Sequence, residues 1–286
     1  MNSTAEIVIT QALLEDIMDM GGNYAPGDHT SLACMPNDVE GKMQLICKAD
    51  GILAGVDLAK IICEDVDRGI RFEKLLTDGT PIKKGDIAFK LYGEVKSLLR
   101  AERVVLNFMQ RMSGIATHTS LFVKEVEGTK ATIIDTRKTT PALRYFEKWA
   151  VRIGGGQNHR YGLFDMIMLK DNHIDFCGGI TKAILAVKDY QQKNNFNLRV
   201  EIEARSLEDV AEILSTGHVT RIMFDNFTPE LMKQGVLLVN SKYETEASGG
   251  ITLNTVRSYA ETGVDFISVG AITHSSPSLD LSLKVF

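Results

Sequence analysis

Residues 198–240 read LRVEIEARSLEDVAEILSTGHVTRIMFDNFTPELMKQGVLLVN, and this stretch decides the fold. Two short apolar runs predict strands at 198–204 and 220–225, and two amphipathic runs predict helices at 206–215 and 229–240. Ser206 and Thr228 stand where helix N-caps are expected, and Gly217 stands where the first helix should end. Alternating strands and helices with short connections predict a parallel sheet.

The same alternation begins near residue 131 and continues to residue 270. It predicts further strands at 131–135, 166–170, 243–247 and 266–270, and further helices at 181–193 and 253–261. Six strands in succession favour a parallel α/β barrel over a hairpin protein. An open doubly wound sheet stays an alternative, because periodicity does not show closure.

The first 115 residues have a different pattern. Strands are predicted at 44–49, 51–58, 70–75 and 87–93, with glycine-containing turns between them, and a long helix is predicted at 97–111. We therefore expect a small α+β domain over 1–115 and a barrel domain over 116–274.

Composition limits the class of protein. A chain of 286 residues with 44% hydrophobic content can bury a large core. The acidic N-terminus has helical spacing and no long uncharged apolar run follows, so we expect a cytoplasmic protein without a membrane span. Four scattered cysteines, Cys34, Cys47, Cys63 and Cys177, favour buried reduced thiols over disulfides or zinc ligands.

Basic residues concentrate in DTRKTTPALRYFEKWAVRIGGGQNHRYGLFDMIMLKDNHI, residues 135–174. The whole chain carries 32 Lys plus Arg against 37 Asp plus Glu, a net charge of -5, so the cluster is local. Arginine pairs with carboxylates and phosphates through two bonds, and lysine adds a point charge. The segment predicts a pocket for small, multiply charged anions and argues against a nucleic-acid partner.

Polar residues follow every predicted strand of the barrel, at the end where barrel active sites lie. Glu203 and Asp225 are hard oxygen ligands that suit Mg²⁺ held partly by a phosphorylated substrate. Glycine-rich turns let a backbone approach phosphate, and His274 has either a phosphate-binding or a packing role. Glu201 lies on the same face of the predicted strand as Glu203. One of two interpretations of Glu201 is a structural role, in an internal salt bridge with Lys170 or Arg137. The phosphate-binding candidates are Ser248, Gly249, Gly250, Gly270 and His274.

Several long motifs occur in one order: ERVVLNFMQRMSGIAT from Glu102, DTRKTTPALR from Asp135, EKWAVRIGGGQNHR from Glu147, LKDNHI from Leu169, FDNF at Asp225, EASGGI and SVGAITHSSPSLDLSL. In these motifs the sequence resembles quinolinate phosphoribosyltransferase, also called nicotinate-nucleotide pyrophosphorylase (carboxylating), over nearly the whole chain. The resemblance implies an incomplete seven-stranded α/β barrel, an N-terminal α/β sandwich domain to which residues 275–286 return, and a homodimer with shared active sites.

The resemblance also implies a reaction and residue roles. The family joins quinolinate to the ribose of 5-phosphoribosyl 1-diphosphate with Mg²⁺, releasing diphosphate and CO2 and giving nicotinate mononucleotide in NAD biosynthesis. The implied catalytic residues are Lys138, Lys170, Glu203 and Asp225. The quinolinate carboxylates are assigned by resemblance to Arg103 from the neighbouring subunit, Arg137, His159, Arg160 and Lys170, with Thr136 in the same loop as Lys138. The alternatives are a related molybdenum-associated phosphoribosyltransferase-like protein and a non-catalytic metabolite-binding barrel.

Overall fold

The computed structural model describes residues 3–19 and 21–286, and the chain divides into two compact units. The first unit comprises the chain up to Ser120, then Thr139–Gly155 and Ser275–Phe286. The second comprises Leu121–Lys138 and Gly156–His274. A 31-residue helix, Val95–Glu125, contains the first change of unit.

The first unit contains an antiparallel four-stranded sheet. Its strands are β1 (Glu40–Cys47), β3 (Arg71–Lys74), β5 (Ile87–Glu94) and β12 (Leu281–Val285), in the order β12-β1-β5-β3. A separate pair is formed by β2 (Gly51–Ile52) and β4 (Pro81–Ile82). The helices are α1 (Ser3–Glu15), α2 (His29–Cys34), α3 (Val56–Val66), α4 (Val95–Glu125) and α5 (Arg144–Ile153).

Two predictions for this unit were wrong in detail. The strand predicted at 51–58 ends at Ile52, because Gly55 adopts a left-handed φ of 94° and α3 begins at Val56, whose N–H donates to Asp78. The helix predicted at 97–111 continues to residue 125. Gly114 does not end it: a Cβ there would lie 2.0 Å from the carbonyl oxygen of Pro277, so this glycine permits close packing.

The second unit contains a six-stranded sheet in which every neighbouring pair is parallel. The six predicted strands are confirmed as β6 (Thr132–Ile134), β7 (Ile167–Leu169), β8 (Val200–Ala204), β9 (Arg221–Asp225), β10 (Glu244–Ser248) and β11 (Phe266–Ser268). Their order is β6-β11-β10-β9-β8-β7. Among the described residues a seventh strand is not formed, and Gln157 contributes one isolated parallel bridge to Ile134.

Helices follow the strands of this sheet. They are α6 (Asp171–Cys177), α7 (Ile180–Asn194), α8 (Leu207–Thr216), α9 (Pro229–Val239), α10 (Val256–Ala260) and α11 (Ala271–His274). The predicted caps of two of them are confirmed: the hydroxyl of Ser206 accepts from the N–H of Asp209, and that of Thr228 accepts from Leu231.

Strand register sorts the side chains on one face of this sheet into layers. Glu201 and Glu244 both lie opposite Arg221, and Glu246 lies opposite Met223. Because side chains alternate along each strand, Glu203, Met223 and Glu246 form the next layer towards the carboxyl ends. Asp225 and Ser248 follow at the rim. The register therefore places one layer of charges deep in the sheet and another at its edge.

The cysteine prediction was half wrong. Cys47 and Cys63 are buried, but Cys34 and Cys177 are exposed, because each is the last residue of a short helix, α2 or α6. All four are free thiols. Within residues 3–19 and 21–286, the helices are too short or too polar to cross a bilayer. The cytoplasmic location stays a prediction.

Candidate active site

A cavity of about 710 Å³ lies at the carboxyl ends of the second unit's strands. Every predicted site residue of that unit lines it: Thr136, Arg137, Lys138, His159, Arg160, Lys170, Glu203, Asp225, Ser248, Gly249, Gly250, Gly270 and His274. The order of strands brings these separate loops together, because parallel strands end at the same edge of a sheet.

The cationic wall combines buried and exposed groups. Lys138 and Lys170 are exposed, whereas Arg160 is 9% exposed and donates through Nη1 to the carbonyl oxygen of Met166 at 3.3 Å. Burial and then the nearby Arg137 lower the pKa of the Arg160 guanidinium. Nε of Arg137 is buried and has no acceptor in the described part of the chain. An anionic ligand would supply the charge and the acceptors that this wall lacks.

Two carboxylates face the same cavity. Glu203 is buried; its Oε2 accepts from the N–H of Asp171 at 2.8 Å, and its Oε1 lies 3.4 Å from Nζ of Lys170. Asp225 is half-buried and accepts from Nδ2 of Asn226 at 3.0 Å. A further donor or a cation can therefore reach Asp225 more readily than Glu203, whose oxygens already have protein partners.

The loop after β10 has a backbone that requires glycine. Gly249 has a φ of 103°, and a Cβ there would lie 2.2 Å from Oδ1 of Asn226. Gly250 has a φ of 62° and open space where a side chain would be. The helix predicted to start near Thr252 begins instead at Val256, because residues 253–255 form turns. The loop backbone itself, rather than a helix terminus, lines the cavity here.

Hydrogen bonds fix the loops that carry the cations. Asp135 is fully buried at the end of β6; it accepts from the N–H of His159 at 2.8 Å and from Nδ2 of Asn158 at 2.6 Å. The hydroxyl of Thr273 donates to the carbonyl oxygen of Lys138 at 2.9 Å. Asp135 is therefore a positioning residue that holds His159 beside the cavity.

Two charged residues that were not predicted from the sequence, Arg221 and Glu246, lie beneath the cavity beside Glu201. Glu201 does not pair with Lys170 or Arg137 as that interpretation expected; its Oε2 lies 2.9 Å from Nε2 of His159 and 3.9 Å from Nη1 of Arg221. Arg221 also donates to Glu246 at 2.7 Å. Counting back in steps of two from the rim residues Asp225 and Ser248 reaches Arg221 and Glu246, so strand periodicity could have found both.

These contacts change the pKa of His159. Burial alone would lower this pKa, but Glu201 and Glu246 outweigh it and raise the pKa to about 9. Burial, followed by repulsion from Glu246, raises the pKa of Glu201. Burial also opposes ionisation of Glu246, but His159 and Arg221 dominate and lower the pKa of that group.

Two family models together cover most of the chain. The model of the quinolinate phosphoribosyl transferase C-terminal domain matches residues 115–284, and that of the N-terminal domain matches residues 28–113. The chain belongs to the quinolinate phosphoribosyltransferase family.

Relatives in this family match over almost the full length. The chloroplastic nicotinate-nucleotide pyrophosphorylase (carboxylating) of Arabidopsis thaliana is 47% identical over 292 aligned positions, covering 97% of this chain and 82% of the relative. Quinolinate phosphoribosyltransferase (decarboxylating) 1b of Nicotiana tabacum is 45% identical, covering 97% and 81%. The structure of nicotinate-nucleotide pyrophosphorylase from Francisella tularensis is 37% identical with a TM-score of 0.91, covering 100% of this chain and 97% of that one. The predicted fold class, an incomplete α/β barrel with an N-terminal sheet domain, is confirmed, with six strands instead of seven in the described residues.

Arg103 is the one predicted site residue of this quinolinate phosphoribosyltransferase-family chain that belongs to the first unit. It lies on α4 and is exposed to solvent. Its delivery to a neighbouring subunit's site stays a prediction.

Proposed function

We propose that this chain transfers the phosphoribosyl group of 5-phosphoribosyl 1-diphosphate to quinolinate, releasing diphosphate and CO2 and giving nicotinate mononucleotide. One observation carries the proposal: a single cavity of a quinolinate phosphoribosyltransferase fold joins a cationic wall, two carboxylates and glycine-rich loops. Both domains of the quinolinate phosphoribosyltransferase family match this chain. Neither alternative, the molybdenum-associated protein or the non-catalytic barrel, is therefore favoured.

The cationic wall suits an acid with two carboxylates. Arg137 has an unused buried N–H and Arg160 is a buried guanidinium, so both gain from a carboxylate partner. Lys170 adds a third positive charge beside them. An acid with one carboxylate would leave part of this charge unpaired, which costs on the order of 3 to 5 kcal/mol for a buried group.

The glycine-rich loops of the cavity, with Lys138, suit the ribosyl donor. The backbone at Gly250, which has open space beside it, and the loop at Gly270 can approach phosphate oxygens, and Lys138 lies next to Gly270. When diphosphate leaves, positive charge develops on the ribose. Glu203 and Asp225 stabilise that charge because hydrogen bonds already hold their carboxylates in place before the reaction.

We include Mg²⁺ in this proposal as a cofactor held largely through the substrate. Asp225 fits such an ion, because its one hydrogen bond to Asn226 leaves oxygen lone pairs available, while Glu203 is more fully engaged. When bound, the ion neutralises charge on the diphosphate leaving group. The final decarboxylation needs no organic cofactor: once the ring nitrogen bears the sugar it is a cationic pyridinium, which stabilises the electron pair left on the adjacent ring carbon until a proton replaces CO2 there.

The assay that tests this function incubates the purified chain with quinolinate, 5-phosphoribosyl 1-diphosphate and Mg²⁺ and measures nicotinate mononucleotide and CO2. We expect both products with quinolinate and a rate lower by at least about a hundredfold with nicotinate. Lys170→Ala should lose the activity. Lys130→Ala is the matched control, because Lys130 pairs with Asp265 away from the cavity. Failure to form the nucleotide, or equal use of both acids, contradicts the proposal.

We further propose a homodimer in which each cavity receives the partner subunit's Arg103. Support comes from the family resemblance, the exposure of Arg103, and three highly exposed apolar side chains of the second unit that a partner could cover: Leu163, Phe164 and Phe176.

Hybrid dimers test the shared site. Arg103→Ala and Lys170→Ala subunits should each be inactive alone. After mixing and subunit exchange, half of the dimers are hybrids with one intact site, so about a quarter of the wild-type activity should return. Exchange without recovery of activity would show that Arg103 acts in its own subunit or has no role in the site.

A further inference from the structure

Four ionisable side chains form a buried charge cluster beneath the cavity: His159, Glu201, Arg221 and Glu246. Nε2 of His159 lies 2.9 Å from Glu201 Oε2 and 3.4 Å from Glu246 Oε2. Both carboxylates are fully buried, and His159 and Glu246 also line the cavity. His159 therefore joins the cluster to the space where an acceptor acid would bind.

The net charge of the cluster depends on one proton. With a neutral ring at His159, two buried carboxylates would face one guanidinium, and one negative charge would be uncompensated. A second proton on His159 balances the cluster. Because an uncompensated charge in a buried site is strongly unfavourable, the cluster favours an added proton.

The two competing sites for this proton are His159 and Glu201. Nδ1 of His159 lies 2.6 Å from the backbone nitrogen of Arg160, whose N–H can donate to it only when Nδ1 carries no proton. This contact favours a neutral ring and a protonated Glu201. Against it, two carboxylates face Nε2, and charged His159 would attract both of them. A doubly protonated ring gives up the backbone hydrogen bond and brings two N–H donors together at that contact, but the attraction of two buried carboxylates to Nε2 is larger, so His159 is the preferred site.

Other charged groups around His159 do not reverse this balance. Asp135 accepts from the His159 backbone and adds negative charge, whereas Arg160, the next residue, adds positive charge. A divalent metal ion among His159, Glu201 and Glu246 would compete with Arg221, which already donates to Glu246 at 2.7 Å. The guanidinium occupies the position of the cation that these ligands would otherwise attract.

We propose that Glu201 and Glu246, with Arg221 between them, are positioning residues that keep His159 cationic at the cavity wall, ready to meet a carboxylate of the acceptor acid. The identity of the acid rests on the proposed function; the protonation state of His159 does not.

Nuclear magnetic resonance of histidine-labelled protein tests the protonation state without any substrate. The chain has 6 histidines, so His159→Gln identifies the His159 signal. We expect a doubly protonated ring at pH 7 and titration near the pKa of about 9. Glu246→Gln should lower this pKa by at least about one unit. Glu244→Gln, which removes another partner of Arg221 on the same strand, should leave it unchanged.

Three results would overturn the proposal: a neutral ring at pH 7, titration at an ordinary histidine pKa, or a bound metal ion that is lost in Glu246→Gln. Circular dichroism of each variant checks folding. If Glu246→Gln does not fold, the pKa of His159 measured in the wild type and in Glu201→Gln tests the same proposal.

Calorimetric binding of quinolinate links the cluster to substrate. Between pH 6 and 8.5 the wild type and Glu244→Gln should bind quinolinate with nearly constant affinity, while Glu246→Gln should weaken at least about fourfold as its His159 loses charge. The turnover number at saturating quinolinate should change little. A flat pH profile in Glu246→Gln contradicts the positioning role. Wild-type protein that binds no quinolinate at any pH contradicts the proposed function, and the substrate-free titration still tests the cluster.

Discussion

Glu201 and Glu203 stand two residues apart on one face of β8, yet their surroundings differ. Glu203 lies in the layer just below the rim, lines the cavity and pairs loosely with Lys170, whose side chain is 48% exposed. Glu201 is one layer deeper, fully buried, and faces His159 and Arg221. One step along the strand therefore changes a carboxylate that lines the substrate space into part of a closed charge cluster.

The difference shows how depth in a barrel separates roles. Charges in the deep layer have protein partners and keep the interior electrically balanced, so their removal should chiefly unfold the protein. Charges at the rim keep some capacity for new partners, so their removal should chiefly slow the reaction.

Removing the guanidinium of the deep layer should have the largest effect. Arg221→Met leaves Glu201 and Glu246 buried without their shared cation, which should reduce the free energy of unfolding by about 3 to 5 kcal/mol. Arg205→Met breaks the ion pairs of an exposed arginine that directly follows β8. It should reduce the free energy of unfolding by less than about 1 kcal/mol. Urea denaturation of both proteins gives the comparison. Similar losses of stability in the two proteins would mean that burial of Arg221 does not increase its contribution to folding.

Removing a rim carboxylate should slow the chemistry and leave the fold intact. We expect Glu203→Ala and Asp225→Ala to lower the turnover number by about a hundredfold or more, because each removes a fixed negative charge beside the developing cation. Glu201→Ala should mainly lower the melting temperature, with turnover near normal at saturating quinolinate. Steady-state kinetics and thermal denaturation distinguish the roles. A thermally weakened Glu203→Ala with normal turnover would reverse the assignment.

The smallest expected effect is the pH dependence of stability. The pKa of His159 is raised to about 9 in the folded chain, so its contribution is complete below the unfolded value near 6.5 and disappears as pH rises through 9. Burial also raises the pKa of Glu201, but only to about 7, so its contribution is mostly lost below the pH range in which His159 titrates. The free energy of unfolding should therefore fall by roughly 1 to 3 kcal/mol from pH 6.5 to 9. His159→Gln should show a smaller fall, and an equal slope in both proteins would contradict the shift.

Local sequence predicted much of the second unit. Apolar runs gave all six strands, and Ser206 and Thr228 gave two helix starts, because caps and periodicity depend on neighbouring residues. The same reasoning failed at 51–58, where a left-handed glycine divides an apolar run into a short strand and a helix. It also misplaced the helix after the Gly249 loop by several residues, because the turns at 253–255 precede it.

The sequence alone determined which residue types carry the chemistry, since the charge of residues 135–174 and the polar strand ends are properties of the chain. It also indicated that Glu201 and Glu203 share a face, because strand side chains alternate. Only the tertiary structure decided their partners. The order β10-β9-β8 and its register set Arg221 beside Glu201, and the segment after α5 brings His159 to both Glu201 and Glu246. Pairing between strands depends on packing of distant segments, which no local pattern specifies.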